Sequence, residues 1–278
     1  MGESLREYGR GVAGGLLFSL PLLYTMEVWQ AGFVMPPQRQ LAYVVLAMVL
    51  LLGYNRYAGL HPDSTWAEVA IDSVEEMGIG LLLSAVVLAL IGRIGAGQDL
   101  AEVVGQIVVE SVTVAIGVSV GTAQLGASDD EDRPGMEESP GGSFGGQLTL
   151  AVCGAVLFAA NVAPTEEIVH IGVELSGLQL AGLGVATMVV GALVLFFSDF
   201  YGSRRWARGE GMVGVLRGTV ITYAVGLATS AVVLWLFGRF DGAAPVSMVG
   251  LTVALAVAST LGASAGRLLI QGGTNEEG

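Results

Sequence analysis

The groups in this sequence best suited to chemistry are carboxylates set among apolar residues. Glu110 stands in Gln106-Ile107-Val108-Val109-Glu110-Ser111-Val112, half-way along an apolar run, and shares a helical face with Glu102 and Gln106. Glu68, Asp72, Glu75 and Glu76 recur at i, i+4, i+7 and i+8, which also sets them on one helical face. Asn161, Thr165, Glu166 and Glu167 crowd around Pro164, and Thr25 and Glu27 form a second Thr-x-Glu pair far upstream. Arg217 is a basic residue set well inside an apolar block. Ionisable groups in such surroundings cost several kcal/mol unless they work on charge, so their chemistry is the binding or passage of a small cation or proton. A proline at a helix break adds free backbone carbonyls that can coordinate cations.

The elements that must hold these groups are membrane spans. Of the 278 residues, 53% are hydrophobic and 13% charged, and the mean hydropathy is +0.68. A soluble domain carries about twice that share of charge. The apolar residues fall into eight blocks, near 9–29, 40–57, 66–92, 100–122, 147–169, 178–199, 212–237 and 245–270. Each is close to the ~20 residues that cross a bilayer as a helix. An all-α membrane protein of about eight transmembrane helices follows.

Four segments repeat in order at nearly one offset. Leu17–Trp29 aligns with Leu157–Val169, bringing Glu27 onto Glu167. Leu52–Gly59 aligns with Leu195–Gly202, and Ile116–Gly121 with Leu261–Gly266. Ser84–Arg93 and Ser230–Arg239 agree at eight of ten positions. The expected architecture is two parallel four-helix repeats, residues 1–124 and 147–278, related by a pseudo-two-fold along the membrane normal. Between them, 125–146 is acidic and rich in Pro and Gly, which predicts a flexible linker. Gly117-x-x-x-Gly121 and Gly262-x-x-x-Gly266 predict close packing of the fourth helix of each repeat against a neighbour, one candidate being each other. The copies differ where the acids lie: Glu110 becomes Leu255, and the acidic stripe becomes Gly214, Gly218, Ile221 and Thr222.

Several functions are excluded. A net charge of −13, with no lysine among twelve basic residues, lacks the basic footprint of a nucleic-acid partner and points to a salt-adapted source. The lone Cys153 forms no intrachain disulfide or thiolate cluster. No zincin, P-loop or nucleophile-elbow motif is present. Glu166-Glu167 followed by His170 departs from the Glu-Glu-x-x-x-Arg of membrane-embedded CAAX-type proteases, because Ile171 holds the arginine position. Neither enzymatic activity nor a cofactor is expected, and the sequence names no metal. Eight arginines fall on one side of an eight-span topology and three on the other, which puts both termini in the cytoplasm of the cell membrane.

The segment Asn161-Val162-Ala163-Pro164-Thr165-Glu166-Glu167, together with the eight-block hydropathy, resembles an uncharacterised family of integral membrane proteins known from haloarchaea and other prokaryotes. The resemblance implies membership over most of the chain and no particular activity. The residues themselves predict a cation channel or a cation/proton-coupled transporter. Its site set is Glu27, Thr25, Glu167, Glu166, Thr165, Asn161, Glu110, Glu75, Asp72 and Arg217. The alternative is a membrane scaffold or sensor whose acidic linker binds a partner. Partners in either case are the lipid bilayer and a candidate second copy of the chain.

Overall fold

The computed structural model describes residues 2–58, 64–95, 97–126, 143–197 and 212–268, and all regular structure among them is α-helical. Among the described residues ten helices follow in order: α1 (Gly2–Leu23), α2 (Met26–Val34), α3 (Pro37–Ala58), α4 (Trp66–Leu90), α5 (Leu100–Gly126), α6 (Phe144–Val162), α7 (Glu166–Glu174), α8 (Gly177–Phe197), α9 (Met212–Leu236) and α10 (Pro245–Leu268). The chain divides into two compact units, Met1–Arg133 and Pro134–Gly278. Most of the acidic segment expected as a linker, residues 127–142, lies outside the described residues, as do Arg204, Arg205 and Arg208.

Helix ends follow local chemistry. Thr65 and Glu68 form a reciprocal capping box at the start of α4, the Glu68 carboxylate accepting the Thr65 N–H at 2.7 Å. Ser176 and Gln179 do the same for α8, and Ser143 caps α6 by accepting from the Gly146 N–H at 3.1 Å. Both α4 and α9 stop at a glycine with φ near +75°, Gly92 and Gly238. There Arg93 N–H bonds back to the Leu88 carbonyl, and Arg239 N–H to that of Leu234. Only glycine takes that left-handed turn without steric cost.

In the first unit α5 is the axis, packing against α1, α2, α3 and α4. Every residue from Val109 to Gly121 is buried. Glycines let it approach its neighbours: a side chain on Gly14 of α1 would strike the backbone of Gly121 and, at 2.7 Å, the Gly117 carbonyl. Gly32 of α2 lies against Gly105 and Gln106 in the same way. In the second unit α10 is the axis, packing against α6, α7, α8 and α9. There Gly154 of α6 abuts Gly262 and Gly266, and Gly172 of α7 abuts Gly250 and Leu251. Each Gly-xxx-Gly motif thus packs on the first helix of its own unit.

One expectation needs correction, and a second is met only in part. The first and fifth apolar blocks are not single spans. α1 ends at Leu23 and α6 at Val162, and the short helices α2 and α7 follow, carrying the rest of each block. Pro164 removes a backbone donor at the second break. At the first, the Trp29 indole N–H closes the end of α1 on the Leu23 carbonyl at 3.1 Å. Secondly, among the described residues seven helices are long and apolar enough to cross a membrane: α3, α4, α5, α6, α8, α9 and α10. α1 has the length but carries Glu3, Arg6, Glu7 and Arg10 in its first turns, and its uncharged stretch runs only from Gly11.

Candidate functional site

The axis helix of the first unit carries the deepest acid. Glu110 lies ten residues into the 27-residue α5, about 15 Å along it. It is completely buried, and neither carboxylate oxygen has a hydrogen-bond partner. One turn earlier Gln106, also buried, leaves its Oε1 unpartnered. Tyr43 of α3, fully buried, lies within electrostatic reach of the Glu110 carboxylate. Gln106 is held in place by the α2 crossing, where Gly32 approaches its backbone. Gln40 of α3 donates to the Gly32 carbonyl at 3.2 Å and to that of Met35 at 3.1 Å, closing the end of α2.

A second polar group lies where α3, α4 and α5 meet. The Asn55 amide nitrogen donates to Glu76 Oε2 at 2.7 Å and to Ser73 Oγ at 3.1 Å. Its carbonyl oxygen accepts from Ser119 Oγ at 3.0 Å. The Ser73 hydroxyl donates to the Val69 carbonyl at 2.7 Å. All four side chains are buried. Ser119 follows Glu110 by nine residues on α5, about 13 Å along the axis. The two carboxylates therefore occupy different levels of the same unit. A buried carboxylate must be neutralised by a proton, a cation or a base.

The remaining predicted residues sit elsewhere. Thr25 is the N-cap residue of α2, and half-buried Glu27 stands in the first turn of that helix. Thr165 takes the same place on α7, its hydroxyl donating to the Val162 carbonyl at 2.9 Å, with Glu166 and Glu167 exposed in the first turn. Carboxylates there complement the positive end of the helix dipole. Asn161 donates to the Leu157 carbonyl one turn back, leaving its buried Oδ1 unpartnered. Within the acidic stripe the four residues separate: Glu68 caps α4, Asp72 is half-buried, Glu75 is exposed and Glu76 is buried. Arg217 is exposed on α9.

Sequence reasoning passed over Tyr43, Asn55, Ser73 and Ser119, and preferred Glu75 to its neighbour Glu76. Adjacent residues on a helix differ by about 100°, so i+7 and i+8 both fit one face until the packing neighbour is known. Asn55 did leave a signal, being an amide inside the apolar block 40–57.

At the aligned positions the second unit carries neither acid. Leu255 and Thr222 stand where the alignment sets Glu110 and Glu76; both are buried, and Thr222 bonds the Gly218 carbonyl of its own helix at 2.8 Å. A largely apolar groove lies between α6 and α9, lined in part by Gln147, Leu148, Thr222 and Val225. Among the described residues no three His, Cys, Asp or Glu side chains are grouped to hold a metal ion.

One family model matches the chain, over residues 7–270; its description is "Putative integral membrane protein (DUF2391)". No curated protein and no solved structure matches at a significant level.

Proposed function

The chain belongs to the DUF2391 family of integral membrane proteins, and from that premise we propose that it moves a small cation or protons across its membrane, with Glu110 as the working carboxylate. The observation that carries this is the complete burial of Glu110, far along the axis helix, with both carboxylate oxygens unpartnered. A structural carboxylate in such a place would be satisfied by donors, because leaving it otherwise costs several kcal/mol. A group that binds and releases positive charge needs free lone pairs. Gln106 and Tyr43 border it on α5 and α3. Glu27 and Glu167, each in the first turn of a short helix, serve at the entrances of their units, and Asp72 and Glu75 add negative potential that attracts cations.

The test is flux in proteoliposomes under imposed proton, sodium and potassium gradients. Wild type conducts at least one of these ions, and Glu110→Gln, which keeps shape and removes the charge, abolishes that flux. Unchanged flux in the variant, or none of the three moved by wild type, would overturn the proposal.

We further infer that the two units are copies of one four-span element in parallel orientation, with α1 as the eighth span and both termini cytoplasmic. Support comes from the paired glycine contacts. Gly14 on Gly121 and Gly32 on Gly105 have counterparts in Gly154 on Gly266 and Gly172 on Gly250, each displaced by 140 to 145 residues, as in the sequence alignment. The terminating glycines Gly92 and Gly238 differ by 146.

A further inference from the structure

We propose that Asn55, Ser73, Glu76 and Ser119 form a binding site for a single dehydrated monovalent cation of sodium size. The proposal deepens the transport reading by naming the ion class, and rests on it only for the ion's passage, since the site can be occupied whether or not the ion moves.

The first ground is charge. Glu76 is buried, and the described groups that act on its carboxylate are Asn55, Ser119, Asp72 and Glu75. Two of these are neutral and two are further acids; none is a base. A hydrogen bond from the neutral Asn55 amide does not cancel a formal negative charge inside a helix bundle. One buried carboxylate balances one monovalent ion, whereas calcium-type sites gather several carboxylates.

The second ground is the supply of oxygen. Ser73 and Ser119 each spend their one proton, on the Val69 carbonyl and on Asn55 Oδ1. Both hydroxyl oxygens keep a lone pair for another partner. The Asn55 amide nitrogen, between Glu76 and Ser73, supplies the positive edge that a cation would supply. Turning the amide over, a rotation its near-symmetric shape allows, brings Oδ1 to that side. The inward groups are then a carboxylate, an amide oxygen and a hydroxyl, with Ser119 beside them: hard oxygen donors from three helices. Proton storage alone would need only the carboxylate.

The experiment is equilibrium binding of radiolabelled sodium to the purified full-length chain in nanodiscs, at constant ionic strength set with choline chloride and with potassium as competitor. Wild type binds sodium saturably. Glu76→Gln loses that binding, and Ser73→Ala, which keeps the charge and the packing, weakens it severalfold. Each variant is first required to elute as wild type does on size exclusion. Absence of saturable sodium or potassium binding in wild type, or equal binding by Glu76→Gln and Ser73→Ala, overturns the site. A chain that binds sodium but moves no ion keeps the site and loses the transport reading. A chain that moves protons without binding either cation does the reverse.

Discussion

Arg93 and Arg239 end α4 and α9 after the same left-handed glycine, yet they hold the neighbouring helix breaks by different means. Arg239 donates from Nε to the Ala163 carbonyl at 3.1 Å and from Nη2 to that of Pro164, closing the end of α6. Its contact with Glu166 is looser, 3.9 Å, with the carboxylate largely exposed, and such pairs contribute little. Arg93 instead lies over the Trp29 ring at 4.2 Å, while that ring's N–H closes α1. Charge-assisted bonds to carbonyls that otherwise lose their partners are worth about 1.5–3 kcal/mol. A cation–π contact at an exposed site is worth roughly 0.5–1 kcal/mol. Arg239→Ala is therefore expected to lower the thermal midpoint in detergent more than Arg93→Ala does. Equal losses would mean that the carbonyl contacts are not what stabilises the second break. The matching position of the two arginines was legible in the sequence; their different partners were not, because Trp29 is replaced by Val169 in the alignment and only the folded chain brings the freed guanidinium onto backbone oxygens.

At the scale of elements, the glycines divide into those that permit a crossing and those that touch nothing. A Cβ on Gly14 or Gly154 would run into backbone of the opposing axis helix, whereas one on Gly78 or Gly218 would meet nothing within 4 Å. Backbone cannot yield as a side-chain tip can. Gly14→Ala and Gly154→Ala should each destabilise by about 1–3 kcal/mol, the usual cost of overpacking. Gly78→Ala should leave the midpoint unchanged or slightly raised, since glycine weakens a helix interior. Thermal unfolding of the three variants checks this, and equal behaviour would deny the crossings their role. The Gly-xxx-Gly spacing could be read from the chain because it is a property of one helix. Gly14, Gly32, Gly105 and Gly250 could not be singled out among 42 glycines, because a crossing point is defined by two helices at once. The same limit hid which of Glu75 and Glu76 turns inward. It also hid the breaks after Leu23 and Val162, since the apolar character of blocks one and five continues across them while the backbone does not.

For the whole molecule the open quantity is parity, and it turns on α1. Its uncharged stretch, Gly11–Leu23, covers only about 20 Å as a helix against about 30 Å of hydrocarbon, so composition alone leaves it short of a span. Packing favours the crossing. α1 meets the axis helix through Gly14 and Gly121, as α6, itself apolar enough to span, meets its own through Gly154 and Gly266. Arg6 and Arg10, at the charged end, would stand in the headgroup layer, where arginine anchors the cytoplasmic side. If α1 crosses, the spans number eight and the termini share a side; if it lies along the surface, seven spans put them on opposite sides. Reporter fusions that fluoresce only in the cytoplasm, placed in separate copies before residue 2 and after residue 278, should both fluoresce. An alkaline-phosphatase fusion in the turn after α4, near Gly95, should be active outside. One dark terminus would remove α1 from the spans and the parallel relation of the units with it. The glycine contacts and the Glu110 and Glu76 levels would stand, because they belong to single units.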